Sequence, residues 1–229
     1  MGGGAGEVAL PTVTDPRAHW ETIYRTNDVH EVSWFQFEAR RSLDLITRIS
    51  ADRAAPIIDV GAGASVLVDD LLAAGYRDVS VLDLSEAALE ISRDRLGADS
   101  SRVKWMRADV LRSRLDKGAY AVWHDRAVFH FLTAAADRQA YVEQVRRAVK
   151  PGGYVLVATF AEDGPEYCSG LPVVRYSAEG LHSEFGTDFR LIRSEHEDHR
   201  TPGGTEQSFL YCLCRRIGKG NEHQLAREL

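Results

Sequence analysis

Pro56-Ile57-Ile58-Asp59-Val60-Gly61-Ala62-Gly63-Ala64-Ser65 is the stretch that decides the fold. Its first half is a short apolar run, the pattern of a strand buried on both faces, and its second half is a glycine turn that opens a helical segment, Ser65 to Ala74. Such a turn lets a ligand approach the main chain and leaves backbone N–H groups free at the start of the helix. Val66 stands where the third glycine of a dinucleotide-binding turn would be.

The same alternation continues downstream. Val79 to Asp83 reads as a second strand, Ser85 to Leu96 as a helix with a serine cap, Val103 to Met106 as a third strand and Tyr120 to His124 as a fourth. A helix from Asp137 to Val149 is expected to stop at Lys150-Pro151-Gly152-Gly153, a turn ahead of a fifth strand, Tyr154 to Phe160. After a helix near Ser177 to Glu184, the runs Phe189 to His196 and Gln207 to Cys214 flank Pro202-Gly203-Gly204 and predict a C-terminal hairpin. These runs predict an α/β fold: a seven-stranded, mostly parallel sheet with helices on both faces and a C-terminal antiparallel hairpin.

Upstream, Pro16 to Phe37 is dense in aromatics and predicts a helix followed by a tight aromatic turn, and Ala39 to Ile49 predicts an amphipathic helix. The expected organisation is a flexible leader over residues 1–15, one domain over 16–216 whose first part (16–50) forms an aromatic lid, and a polar tail over 217–229.

With 229 residues, 44% hydrophobic and 27% charged, the chain has the composition of a folded globular protein. A net charge of -6 makes nucleic acid and anionic membrane unfavoured partners. No segment reads as a secretion signal or a membrane span, and Cys168, Cys212 and Cys214 fit reduced thiols, so a cytoplasmic location is expected. No metal site is expected, because the cysteine spacing matches no zinc pattern and His196, Asp198 and His199 define no ligand geometry.

Two further acidic residues turn the glycine turn into a nucleoside site. Asp83 ends the second strand twenty residues beyond Gly63, where a carboxylate accepts hydrogen bonds from a ribose diol, and Leu84 follows it. Ala108-Asp109-Val110 follows the third strand, where Asp109 can accept from an adenine amine while Val110 packs on the ring. All three elements project from the carboxyl edge of the sheet, where open α/β sheets bind ligands.

In Asp59-Val60-Gly61-Ala62-Gly63, Val81-Leu82-Asp83, Ala108-Asp109-Val110 and Lys150-Pro151-Gly152-Gly153, the chain resembles the class I S-adenosylmethionine-dependent methyltransferases. The resemblance implies a Rossmann-like fold and S-adenosylmethionine as cofactor. It implies that Gly61 and Gly63 lie under the methionine and ribose, that Asp83 holds the ribose hydroxyls, that Asp109 and Val110 hold adenine and that Asp59 faces the methionine ammonium. Trp20, Tyr24 and Trp34 can close over the methionine arm, where aromatic faces favour a cation, or serve in core packing, and the stretches His19-Trp20-Glu21-Thr22-Ile23-Tyr24 and Val32-Ser33-Trp34-Phe35 also resemble the lead-in of the thiopurine methyltransferase branch. Asp125-Arg126 also matches that branch, with Ala127 in place of its glycine.

The acceptor side is expected after the fourth strand, where His124, Asp125, Arg126 and His130 crowd one segment. Either histidine can take a proton near neutral pH or serve only in packing; Asp125 can anchor the sulfonium end or fix a histidine tautomer; Arg126 can attract an anionic acceptor or pair with Asp125. Cys168-Ser169-Gly170-Leu171-Pro172 is placed to line the acceptor pocket. The expected partner is a small-molecule methyl acceptor (a thiol, another sulfur nucleophile or a heterocycle), and the protein is expected to be a monomer or a weak homodimer. Protein lysine methylation, a catalytically inactive cofactor-binding module and an NAD-dependent oxidoreductase are the rival readings.

Overall fold

The computed structural model describes residues 15–218; the expected leader and tail lie almost wholly outside the described residues. Helix α1 (Pro16–Thr26) starts where Asp15 accepts the amides of Arg17 and Ala18 and Pro16 supplies a preset φ. A turn-rich strap, residues 27–39, leads to α2 (Arg40–Ile49), whose Leu45 and Ile46 are buried. Then follow β1 (Ile57–Val60), α3 (Leu67–Ala73), β2 (Val79–Asp83), α4 (Glu86–Leu96), β3 (Val103–Arg107), β4 (Tyr120–Arg126), α5 (Ala135–Ala148) and β5 (Val149–Phe160). A two-residue pair, β6 (Tyr167–Cys168) and β7 (Leu171–Pro172), precedes α6 (Ala178–Phe185), β8 (Phe189–Arg200) and β9 (Glu206–Arg216).

The main sheet has the order β3-β2-β1-β4-β5-β9-β8. Strands β1 to β5 pair in parallel, while β9 runs antiparallel to both β5 and β8. The seven strands, the hairpin and the parallel core are thus as expected. One core cluster joins α2 and α3 to one face of the sheet, and a second joins α5 and α6 to the other.

Two features differ from the sequence expectation. Lys150-Pro151-Gly152-Gly153 does not end before the fifth strand but lies inside it, where the register against β4 jumps from Tyr120↔Val149 to Val122↔Tyr154. Gly152 takes φ +79°, and a Cβ on Gly153 would meet the Ala121 and Lys150 carbonyl oxygens at 2.9 Å, so the glycines permit a bulge in which the backbone approaches itself. The β6–β7 pair is an addition to the expected strands, since two-residue strands leave no periodic signal.

Strand alternation sorts the segment after β1. Asp59 sits beside His124 on the neighbouring strand and Val60 beside Asp125, so His124 and Arg126 face the α2 side while Asp125 faces the α5 side.

Candidate active site

A cavity of about 1170 Å³ opens at the carboxyl edge of β1, β2 and β4, more than the roughly 300–1,000 Å³ of a single small-ligand pocket. Asp59, Gly61, Asp83, Leu84, Asp109 and Val110 line one part of it, and α1 with the strap contributes Trp20, Tyr24 and Trp34. The glycine turn is tightly enclosed. Gly61 and Gly63 take φ +59° and +56°, and a Cβ would meet Val128 Cγ2 and the Tyr24 hydroxyl respectively, each at 2.0 Å. Gly63 itself lies behind the cavity wall, with its amide donating to Asp83 Oδ2 at 2.7 Å.

Asp83 Oδ1 accepts the Ser85 amide at 2.8 Å. Burial, with Asp59 nearby, pushes its carboxyl up to about 6, against the pull of neighbouring backbone amides, Ser85 and Gly63 foremost. One N–H per oxygen leaves acceptor capacity on both, as a ribose diol requires. Asp109 Oδ1 accepts the Leu111 amide at 2.9 Å, and Val110 is buried beside it.

Helix α1 is anchored at this site by Glu21, a residue with no distinguishing signal in the sequence. Its Oε2 accepts from Ser85 Oγ at 2.9 Å and from the Ala87 amide at 3.2 Å, which ties α1 to the first turn of α4. Trp34 Nε1 donates to the Tyr24 hydroxyl at 3.3 Å, and Trp20 packs edge-on against both Trp34 and Phe131. Trp20, Tyr24 and Trp34 are therefore brought together in the cavity wall.

The four residues expected at the acceptor side separate. His124 Nδ1 lies 2.6 Å from Asp59 Oδ1 and its Nε2 lies 2.8 Å from Ser42 Oγ, all three side chains being buried. The order of contacts is that of a nucleophilic triad, but Ser42 is only 1% exposed and lines no part of the cavity.

Asp125 and His130 are not in the cavity wall. Asp125 caps its own turn by accepting the amides of Val128 and Phe129 and the Tyr141 hydroxyl, which in turn accepts Trp123 Nε1. Burial raises its carboxyl to about 6. His130 is fully buried and its Nδ1 accepts the Phe160 amide at 3.3 Å; burial, with Arg126 nearby, lowers its imidazole to about 3, so the ring is neutral.

Arg126 lines the cavity but does not pair with Asp125. It donates to the Tyr211 hydroxyl at 3.0 Å and the Trp34 carbonyl at 3.2 Å, stacks 4.2 Å above the Phe209 ring and lies 3.7 Å from Glu197. His199 holds the preceding strap carbonyl, Ser33, at 2.8 Å. The hairpin strands thus supply the platform that pins the strap, a role invisible in one-dimensional spacing. Cys168, Leu171 and Pro172 close the cavity beside Arg126, and burial raises the Cys168 thiol to about 11. Ala127 takes φ +69° at the glycine position of the resembling branch, a left-handed conformation that glycine adopts freely.

A family model described as a methyltransferase domain matches residues 57–153, which contain the glycine turn, Asp83, Asp109 and Val110. Human EEF1A lysine methyltransferase 2 is 22% identical over 198 residues, 80% of this chain and 78% of that protein. Among solved structures, a protein studied in the conversion of a disulfide bond into a thioacetal group during echinomycin biosynthesis superposes with a TM-score of 0.72 at 17% identity, covering 93% of this chain and 97% of the other. The 1,6-didemethyltoxoflavin-N1-methyltransferase of Burkholderia thailandensis, with 1,6-didemethyltoxoflavin and S-adenosylhomocysteine bound, gives 0.68 at 20% identity, covering 88% and 87%. The domain match over residues 57–153, the strand order and the glycine turn flanked by Asp59 and Asp83 together support an S-adenosylmethionine-dependent methyltransferase.

Proposed function

We propose that this methyltransferase acts on a small molecule whose acceptor atom carries its own lone pair at neutral pH, a sulfur nucleophile or a heterocyclic nitrogen. The observation that carries this reading is that none of the ionisable groups expected at the acceptor side is free to act as a base there. Both nitrogens of His124 are occupied, His130 and Asp125 lie behind the wall, and the cation Arg126 stands in it. Lysine, with a reference pKa of ~10.4, must lose a proton before it can attack, and a neighbouring guanidinium does not attract it. A thiol, with a reference pKa of ~8.5, supplies far more of its reactive form near neutral pH than lysine does, an electron-rich ring nitrogen needs no proton loss, and either packs on Trp20, Trp34 and Phe131.

S-adenosylmethionine supplies a methyl group on a sulfonium sulfur, and the residues present fit it. Asp83 receives the ribose, Asp109 and Val110 the adenine, the Gly61–Gly63 turn lies beneath the methionine arm, and Asp59 faces its ammonium. Tyr24, Trp20 and Trp34 cover the site, exclude water and favour a cationic sulfur through their ring faces. Arg126 fixes the strap that forms the acceptor wall. Rate enhancement then comes mainly from in-line orientation.

Likeness to the lysine methyltransferase supports the second reading, a protein lysine acceptor reached through the aromatic wall. Release of S-adenosylhomocysteine should be measured with alkyl and aryl thiols, nitrogen heterocycles and lysine-containing elongation-factor protein. Turnover on thiols or heterocycles is expected; turnover on the protein alone refutes the small-molecule reading.

A further inference from the structure

We propose that His124 and Ser42 form a positioning pair that orients Asp59 toward the cofactor's ammonium group, and that His124 is not the acceptor's base. The inference rests on the cofactor reading of Asp59 and is independent of the acceptor's identity.

Asp59 and His124 are register partners on adjacent parallel strands, so their side chains leave the sheet on the same face. His124 Nδ1 meets Asp59 Oδ1 at 2.6 Å, and His124 Nε2 meets Ser42 Oγ at 2.8 Å. With both ring nitrogens engaged and the side chain 3% exposed, the imidazole cannot turn toward an acceptor without breaking a buried bond. What the arrangement leaves open is the other carboxylate oxygen. Asp59 lines the cavity, and its Oδ2 is buried without a hydrogen-bond partner.

A buried carboxylate with one oxygen bonded and one vacant is a site for a cation that brings its own donors. An ammonium group has three. Ser42 belongs to α2, so the pair also joins the helix that follows the strap to the cofactor site. The chemistry resembles the carboxylate–histidine couples that fix ligand orientation in metal sites, with the roles reversed: here the histidine orients the carboxylate.

The test compares two nucleosides. S-adenosylhomocysteine carries the ammonium, whereas 5′-methylthioadenosine lacks the amino-acid arm. Calorimetric titration of wild type, His124→Leu, His124→Asn and Ser42→Ala, with thermal melts to check folding, is expected to give a 10- to 100-fold loss of S-adenosylhomocysteine affinity in His124→Leu, the scale of a lost second-layer partner. Binding of 5′-methylthioadenosine should change less than about twofold. His124→Asn, which keeps an N–H near the Nδ1 position, should recover most of the loss, and Ser42→Ala should show a smaller one. Equal weakening of both nucleosides would reduce His124 to a packing element. Unchanged affinity with a lowered kcat and an altered pH profile would make it the base after all; either result overturns the proposal. If wild type binds neither nucleoside, the cofactor reading of Asp59 fails first, and that failure is distinct from both.

Discussion

Replacing Gly63 by alanine places a Cβ 2.0 Å from the Tyr24 hydroxyl oxygen and 2.9 Å from its ring carbon Cζ, in a backbone held at φ +56°. Two costs add. A left-handed conformation costs an L-residue about 1–2 kcal/mol, and forcing a methyl into a packed contact costs about 1–3 kcal/mol more. Gly75 separates them, because it also takes a positive φ, +89°, while a methyl there would meet nothing within 4 Å. Gly75→Ala should therefore lose only the conformational part, about 1–2 kcal/mol, and Gly63→Ala about 2–5 kcal/mol in urea unfolding. The clash also pushes Tyr24 and α1 off the turn, so S-adenosylhomocysteine affinity should fall in Gly63→Ala and stay unchanged in Gly75→Ala. In the double variant Gly63→Ala/Tyr24→Phe the hydroxyl is gone, and part of the excess cost should be recovered, a coupling readable as non-additivity. Equal unfolding costs for the two glycines would refute the claim that Tyr24 closes directly on the cofactor turn.

Asp83 and Asp125, each raised to about 6 by burial, hold protons more tightly in the folded protein than in the unfolded chain. Stability should therefore fall as pH rises from about 4 to 6, by up to about 3 kcal/mol for each carboxyl, and Asp83→Asn should flatten part of that slope in unfolding titrations between about pH 4.5 and 7. Asp125→Ala leaves the Val128 and Phe129 amides and the Tyr141 hydroxyl without their acceptor. It should cost about 3 kcal/mol or more in thermal or urea unfolding, whereas Asp125→Asn should retain S-adenosylhomocysteine binding. Ala127→Gly relieves the φ +69° backbone, a gain of about 1–2 kcal/mol offset by about 0.5–1 kcal/mol of added unfolded-chain entropy. A net stabilisation of up to about 1.5 kcal/mol is expected, and a clear destabilisation would show that the alanine methyl is needed in the wall.

The cofactor half of the site is legible in the sequence because its chemistry is local. A glycine turn, Asp83 and Asp109 each sit within a few residues of a strand end, and a parallel sheet brings successive strand ends to one edge whatever the details of packing. The same locality makes the strands, the hairpin and the serine cap of α4 readable. The acceptor half is not legible in this way. His124, Asp125 and Arg126 are consecutive in sequence and look like one constellation, but a strand sends neighbours to opposite faces: Asp125 turns to the α5 side and becomes a cap, while His124 and Arg126 remain on the α2 side.

What the amino-acid sequence determined by itself is the alternation of strands and helices, the antiparallel hairpin and the gathering of the proposed nucleoside-binding residues at one sheet edge, because each depends on periodicity and turn chemistry over short spans. Only the tertiary structure decided the partners of the polar side chains. Ser42 meets His124 across 82 positions, Glu21 reaches Ser85 across 64, and Arg126 reaches Tyr211 across 85. Such contacts carry no sequence period; they exist because the N-terminal helices and the C-terminal hairpin fold back over the same sheet, and burial there obliges each polar group to find whichever partner the packing brings.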